Sequence, residues 1–205
     1  MSSKEFQEFL ITCIGIPRYA SYVDEKTLLK LKGEEKSEAI KLLLKELETT
    51  EHTNSIQAAG YLKIPEAAKI LKKRLVTGFR FRMTYIETAV TLWKIEKYDK
   101  SFQMLLDIYN SPQAGEYEKG HAILYLECFG LQKHVLNTLF EIILNDSAFS
   151  STALNCLEKI INSDNQISHF INEIQQINKF DNLSGYRKKK LIELKKIIYK
   201  RFSIK

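Results

Sequence analysis

Apolar residues fall at helical spacing along most of the chain, and one spacing recurs. A small residue precedes a leucine by four at Thr27–Leu31, Ala58–Leu62, Thr88–Leu92, Ala122–Leu126 and Ala153–Leu157, with starts separated by 31, 30, 34 and 31 residues. Thirteen residues after each of the last four leucines stands an adjacent apolar pair: Leu75–Val76, Leu105–Leu106, Leu139–Phe140 and Phe170–Ile171. In the first copy the same offset reaches Leu44, beside Leu42 and Leu43. Residues four apart share one stripe of a helix. Each copy therefore predicts a first helix whose small residue admits a close neighbour and whose leucine fills the space beside it. The pair predicts a second helix, packed on the first after a short turn. One such unit cannot bury its apolar face alone, so the copies are expected to stack. A non-repeating bundle would show amphipathic helices without the constant offset.

The two ends read differently. Phe6, Phe9, Leu10, Cys13 and Ile14 lie on one helical face, predicting a helix over 4–14 closed by Gly15 and Pro17. Leu183, Tyr186, Leu191, Leu194, Ile198 and Phe202 give a single apolar stripe on an otherwise basic helix. Both fit terminal caps, with one face docked and the other wet. Asn110 to Gly115, reading NSPQAG, is the clearest internal loop.

Composition narrows the class further. Only 8 Gly and 3 Pro occur in 205 residues, too few punctuators for the frequent turns of a β-sandwich or barrel. At 44% hydrophobic and 11% aromatic residues the chain can fill a core, which excludes wholesale disorder. Three scattered cysteines, Cys13, Cys128 and Cys156, make no disulfide framework and no C-x-x-C pair. The apolar FLITC segment is short, and Glu5 and Glu8 stand where a signal segment carries positive charge. No run approaches the ~18 apolar residues of a membrane span. The expectation is a cytoplasmic protein with no membrane partner.

The net charge of +6 hides a segregation. Residues 184–205 hold nine basic residues and one acid, and residues 60–82 hold seven basic residues and one acid. The remainder of the chain is acidic, so two segments set the basic character.

The copy beginning at Ala58, AAGYLKIPEAAKILKKRL, resembles the HEAT-like repeat family in its short bacterial form: alanines, a leucine, a turn with Pro-Glu-Ala, and a second leucine-rich helix. The resemblance covers roughly Thr27 to Ile177, and the later copies lack the Pro and the Asp/Arg positions. Tetratricopeptide and ankyrin signatures are not met. With the periodicity, the resemblance implies an all-α fold, an α-solenoid of about five antiparallel helical pairs with N- and C-terminal capping helices. The expected organisation is one domain over 1–205: a cap over 1–24, repeats over 25–182 and a basic capping helix over 183–205.

Catalytic motifs are sparse. Gly115 and Gly120 have phosphate-loop spacing, but His121 follows where Lys is required. His52, His121, His134 and His169 are scattered, and His121 with Cys128 supplies two candidate ligands where a site needs more. Glu34 with Glu35, and Glu116 with Glu118, read as solvated helix starts. No metal or cofactor is expected. Some HEAT-like proteins of this size are glycosylases for alkylated DNA bases, using tryptophan, aspartate and arginine in a concave groove. Here Trp93 is the single tryptophan, Lys97 rather than an acid follows it by four, and the stripe residue Leu92 explains Trp93 by packing.

What remains is a surface. Repeat solenoids present their second helices as a concave ladder. Two rows flank the apolar pairs: Lys73, Gln103, Asn137 and Ser168, and then Thr77, Asp107, Glu141 and Asn172. The rows change from basic, near Lys69, Lys72 and Lys73, to acidic at Asp107 and Glu141. That change of sign suits a protein partner better than a polyanion, although the same positions would serve an ordinary solvated face. The expected partner-binding residues are Lys73, Gln103, Asp107, Asn137, Glu141 and Asn172, in an adaptor, scaffold or immunity-type inhibitor. The alternative is nucleic-acid binding through Lys69, Lys72, Lys73, Arg80, Arg82, Lys188, Lys189 and Lys190.

Overall fold

A computed structural model of the chain describes residues 2–14, 23–161, 169, 171–173 and 184–204. Among them every regular element is helical, and no strand occurs. They divide into two compact units, residues 1–114 and 115–205. Gly15, Pro17, Ser168, Phe170 and Leu183 lie outside the described residues.

The first unit holds α1 (Lys4–Cys13), α2 (Glu25–Lys30), α3 (Gly33–Thr49), α4 (Thr53–Tyr61), α5 (Pro65–Thr77), α6 (Arg82–Glu96) and α7 (Ser101–Asn110). Local chemistry sets several of these boundaries. Ser3 caps α1 by accepting from the Phe6 amide, and Asp24 caps α2 by accepting from the Lys26 amide. Pro65 occupies the first turn of α5, where its missing N–H costs nothing. Gly78, at φ 83°, stops α5 in a conformation that side chains rarely adopt.

Packing follows the chain order of the copies. The first helices α2, α4 and α6 contact one another in sequence, and the second helix α3 contacts α5. Helix α6 also packs on α5 and α7, so it is buried nearly all round, including Thr84, Glu87, Thr88 and Thr91. Phe9, Leu28, Leu43, Leu47, Ile56, Leu71 and Leu92 join one continuous core.

The small-to-leucine stripe is buried at Ala58, Thr88 and Leu92 and at Leu31, whereas Leu62 is half-buried at the end of α4. The apolar pairs need correction. Leu105 is buried and Leu106 half-buried, and in the first copy Leu43 rather than Leu44 is fully buried. Val76 is 88% exposed. Helix α5 buries Ala67, Ala68 and Leu71 and half-buries Leu75. The next residue turns ~100° away, which carries Val76 to solvent.

The second unit holds α8 (Glu116–Leu124), a 3₁₀ turn (Tyr125–Phe129), α9 (Lys133–Asn145), α10 (Ser150–Ile161) and α11 (Ser184–Arg201). Helix α10 packs on α8, the 3₁₀ turn and α9, and α11 packs on α9. Ala122, Leu126, Leu139, Phe140, Ala153 and Leu157 are buried as the spacing predicts, with Leu126 on the 3₁₀ turn rather than on an α-helix. On α11 the stripe is buried at Leu191, Leu194 and Ile198, but Tyr186 is exposed.

Candidate functional site

In the first unit two cations of the basic segment tie helices together, and four others are exposed. The Arg74 guanidinium donates to the Thr50 carbonyl and, at 3.2 Å, to the Glu48 carbonyl, which satisfies the C-terminal end of α3. Lys72 is ion-paired with Glu96, and its ammonium lies 5.0 Å from the Tyr98 ring centre. Lys72 is therefore a tie from α5 to α6. Lys69, Lys73, Arg80 and Arg82 are exposed.

Three of these cations adjoin exposed apolar residues. Lys69, Lys73 and Val76 follow one side of α5. The loop after α5 carries Arg80 and Phe81, with Phe81 56% exposed and the Arg80 guanidinium 5.3 Å from its ring centre. The backbone amide of Arg80 donates to Glu51 Oε2 at 2.9 Å, which pins the loop to the start of α4. Val76 and Phe81 are the residues that sequence reasoning missed. The run from Pro65 to Leu75 identifies α5 as amphipathic, but the face on which Val76 falls depends on where α3 and α6 meet that helix.

The acidic position Asp107 is exposed on α7 and accepts from Gln103 Nε2 at 2.8 Å, so these two expected residues are brought together. Asp107 also stands near Tyr85 of α6. Burial raises the Tyr85 phenol above its ordinary pKa, and the charges of Asp107 and Tyr98 add to the rise.

The aromatic residues at the C-terminal ends of α4 and α6 already hold cations of this chain. Lys97 lies 4.7 Å from the Trp93 ring centre, and Lys94 lies 3.9 Å from that of Tyr61. Lys97 reaches Trp93 from a left-handed backbone conformation, φ 54°, that ends α6.

In the second unit the expected residues separate. Glu141 and Asn172 are exposed, but Asn137 is half-buried under α11 and accepts a 2.8 Å hydrogen bond from the Tyr199 hydroxyl. Lys190 is also engaged, paired with Glu173 at 3.1 Å, and its hydrogen bond to Glu173 raises its pKa. Lys188 and Lys189 are exposed. The sequence puts all three lysines together, but only the ion pair with Glu173 distinguishes Lys190 from its neighbours.

Thiol chemistry is suppressed where it is buried. Burial pushes the Cys13 thiol up to about 11, against a smaller opposing effect from Thr12. Burial, with the Glu127 charge next in effect, pushes Cys156 up to about 12. The Cys156 thiol donates to the Leu124 carbonyl at 3.7 Å. Nearby, Lys159 and Glu127 form a 3.0 Å ion pair from α10 to the 3₁₀ turn. Among the described residues no group of three or more His, Cys, Asp or Glu is placed to hold a metal ion. No described helix is long and apolar enough to cross a membrane.

Comparison of the chain with protein-family models, with curated proteins and with solved structures finds no match in any of the three.

Proposed function

We propose that the chain is a HEAT-like α-solenoid with capping helices that binds a protein partner and performs no catalysis. The succession of α2, α4 and α6, with α3 on α5, supports the layered arrangement. The protonated state of buried Cys13 and Cys156 at neutral pH leaves these thiols poor nucleophiles. The face of Trp93 already holds Lys97, which weighs against a base-stacking role.

The observation that carries the reading is Val76 with Phe81. Both are large apolar side chains left in water, and Lys69, Lys73 and Arg80 are exposed on the same helix and loop. Burying a valine or phenylalanine side chain is worth ~1.5–3 kcal/mol. A partner that covers these two gains that energy, and the cations select an acidic rim on it. The acidic Asp107, on α7, gives the same unit surface of the opposite sign. The role that fits is an adaptor, scaffold or immunity-type inhibitor.

The test is capture from the native host with wild-type protein and with the Val76→Asp, Phe81→Asp double variant. The expected result is one discrete protein, retained after nuclease treatment and lost with the variant at unchanged melting temperature. Equal capture by both proteins would overturn the assignment of this surface.

A further inference from the structure

Helix α11 presents a second surface of a different kind. Its apolar side is committed: Leu191, Leu194 and Ile198 are buried and α11 packs on α9. Tyr199 is bonded to Asn137, Lys190 is paired with Glu173, and Lys195 lies 5.5 Å from the Phe140 ring centre. The helix is thus held to the unit from Lys190 to Tyr199. At ~100° per residue, Lys189, Lys196 and Lys200 fall within about 40° of one another opposite those buried residues, and Lys188 and the 45%-exposed Ile192 lie on the flank nearer Leu191. All four lysines are exposed, and Glu193 is the only acid on the helix. With a rise of ~1.5 Å per residue, the row from Lys188 to Lys200 extends about 18 Å.

Neither folding nor solubility calls for this arrangement. A wet capping face needs polar residues of either sign, and mixed signs serve it better. Lys196 and Lys200, four apart, repel each other across one turn. No acid stands in the first turn of α11, where the helix dipole would favour one. Four exposed lysines stand against the single acid Glu193 on this helix, the excess of one sign that a surface for an external polyanion needs.

We propose that this face of α11 binds the phosphate backbone of duplex nucleic acid without regard to sequence. Lysine is depleted from protein–protein interfaces but supplies phosphate contacts on nucleic acid. Insertion into a bilayer would need an apolar stripe, and the one on α11 is buried, which leaves Ile192 as an isolated exposed aliphatic residue beside the lysines. A rigid, single-sign row about 18 Å long matches a duplex, which carries one negative charge per ~1.7 Å of axis. The proposal does not rest on the protein-partner surface, which uses α5 and the loop after it.

The experiment measures binding of two unrelated 20-base-pair duplexes to the full chain across 50–200 mM salt. Both duplexes are expected to bind alike, with affinity falling steeply as salt rises. Replacing Lys188, Lys189, Lys196 and Lys200 with Gln should make the log–log slope less negative by about 0.9 for each phosphate no longer neutralised, hence by about 3.6 if all four lysines touch phosphate. Glu193→Lys should bind more tightly, a gain that damage to folding could not produce. Val76→Asp with Phe81→Asp should leave the slope unchanged. An unchanged slope in the quadruple variant would overturn the proposal. So would binding to polyglutamate, or to phosphatidylserine vesicles, that matches duplex affinity and depends on the same lysines.

Discussion

Gly60 and Thr91 meet across the α4–α6 contact with no room for a side chain on the glycine: a Cβ there would lie 2.9 Å from Thr91 Oγ1 and 3.3 Å from Thr91 Cα. Thr91 Oγ1 also donates to the Ile56 carbonyl at 3.0 Å, so moving it away from Gly60 breaks a buried hydrogen bond. Gly60→Ala should therefore destabilise the protein. Overpacking costs ~1–3 kcal/mol, against a gain of up to ~1 kcal/mol in helix propensity. Gly185→Ala on α11 is the control. Nothing lies within 4 Å of the added Cβ, and the change should be neutral or stabilising. Urea midpoints of the two variants should move in opposite directions, or only the first should move.

Core and surface leucine-stripe positions should separate sharply. Leu126 and Leu139 are both buried in the second unit, and truncating either to Ala should cost ~2–5 kcal/mol. Val76→Ala should change stability by less than ~0.5 kcal/mol, because Val76 has almost no burial to lose. A large loss at Val76 would return it to the core and remove the exposed apolar surface on α5.

How much of this is legible in the sequence depends on what each feature requires. Periodicity alone locates the helices, because α4, α6, α8 and α10 contain the small residue of each stripe and α5, α7 and α9 contain the apolar pairs. It fails where a neighbour decides. Adjacent apolar residues such as Leu75 and Val76 point in different directions, and which one is buried depends on where α3 and α6 sit. Helix α6 shows the same limit. The stripe accounts for Thr88, but Thr84, Glu87 and Thr91 are buried as well, because α4, α5 and α7 cover the helix from several sides. For the candidate site, the basic segments are plain from composition. Arg74, Lys72 and Lys190 are structural ties that composition does not reveal, because their partners, the Thr50 and Glu48 carbonyls, Glu96 and Glu173, are distant in sequence.

Glu35 gives a pH-dependent contact. Its carboxylate accepts from the Ser3 amide and hydroxyl, both at 2.6 Å, and these bonds hold its pKa below the ordinary 4.5. A depressed folded-state pKa means that the unfolded chain binds the proton first. The contribution is therefore complete above about pH 4.5 and is lost as pH falls through the lower folded value. Glu35→Gln should melt below wild type at pH 7, and the gap should close on acidification. A gap independent of pH would show that charge on Glu35 plays no part.

Charge reversal at Asp107 and Glu141 tests the acidic positions. Both side chains are exposed, and Asp107 loses only its bond with Gln103. Stability should shift by less than ~0.5 kcal/mol per site. Affinity for a partner captured through Val76 and Phe81 should fall on reversal of Asp107 if that partner extends from α5 towards α7 in the same unit. Unchanged affinity on reversal of Asp107 would confine the interface to α5 and the loop after it.

The docking of α11 on α9 can be measured through one bond. Tyr199→Phe removes the hydroxyl that donates to Asn137 Oδ1 at 2.8 Å and leaves the ring in place. A neutral hydrogen bond of this kind is worth ~0.5–1.5 kcal/mol, with the lower end expected because both partners are only half-buried. Asn137→Ala should cost a similar amount, and the double variant should cost less than the two together, since each single change removes the same bond. Deleting residues 184–205 should be far more damaging. It uncovers the α9 surface on which Leu191, Leu194 and Ile198 are buried, and burial of each such side chain contributes ~1.5–3 kcal/mol. Additive costs in the cycle, combined with a mild deletion, would show that α11 is not held on α9, and the lysine row would then be without its rigid support.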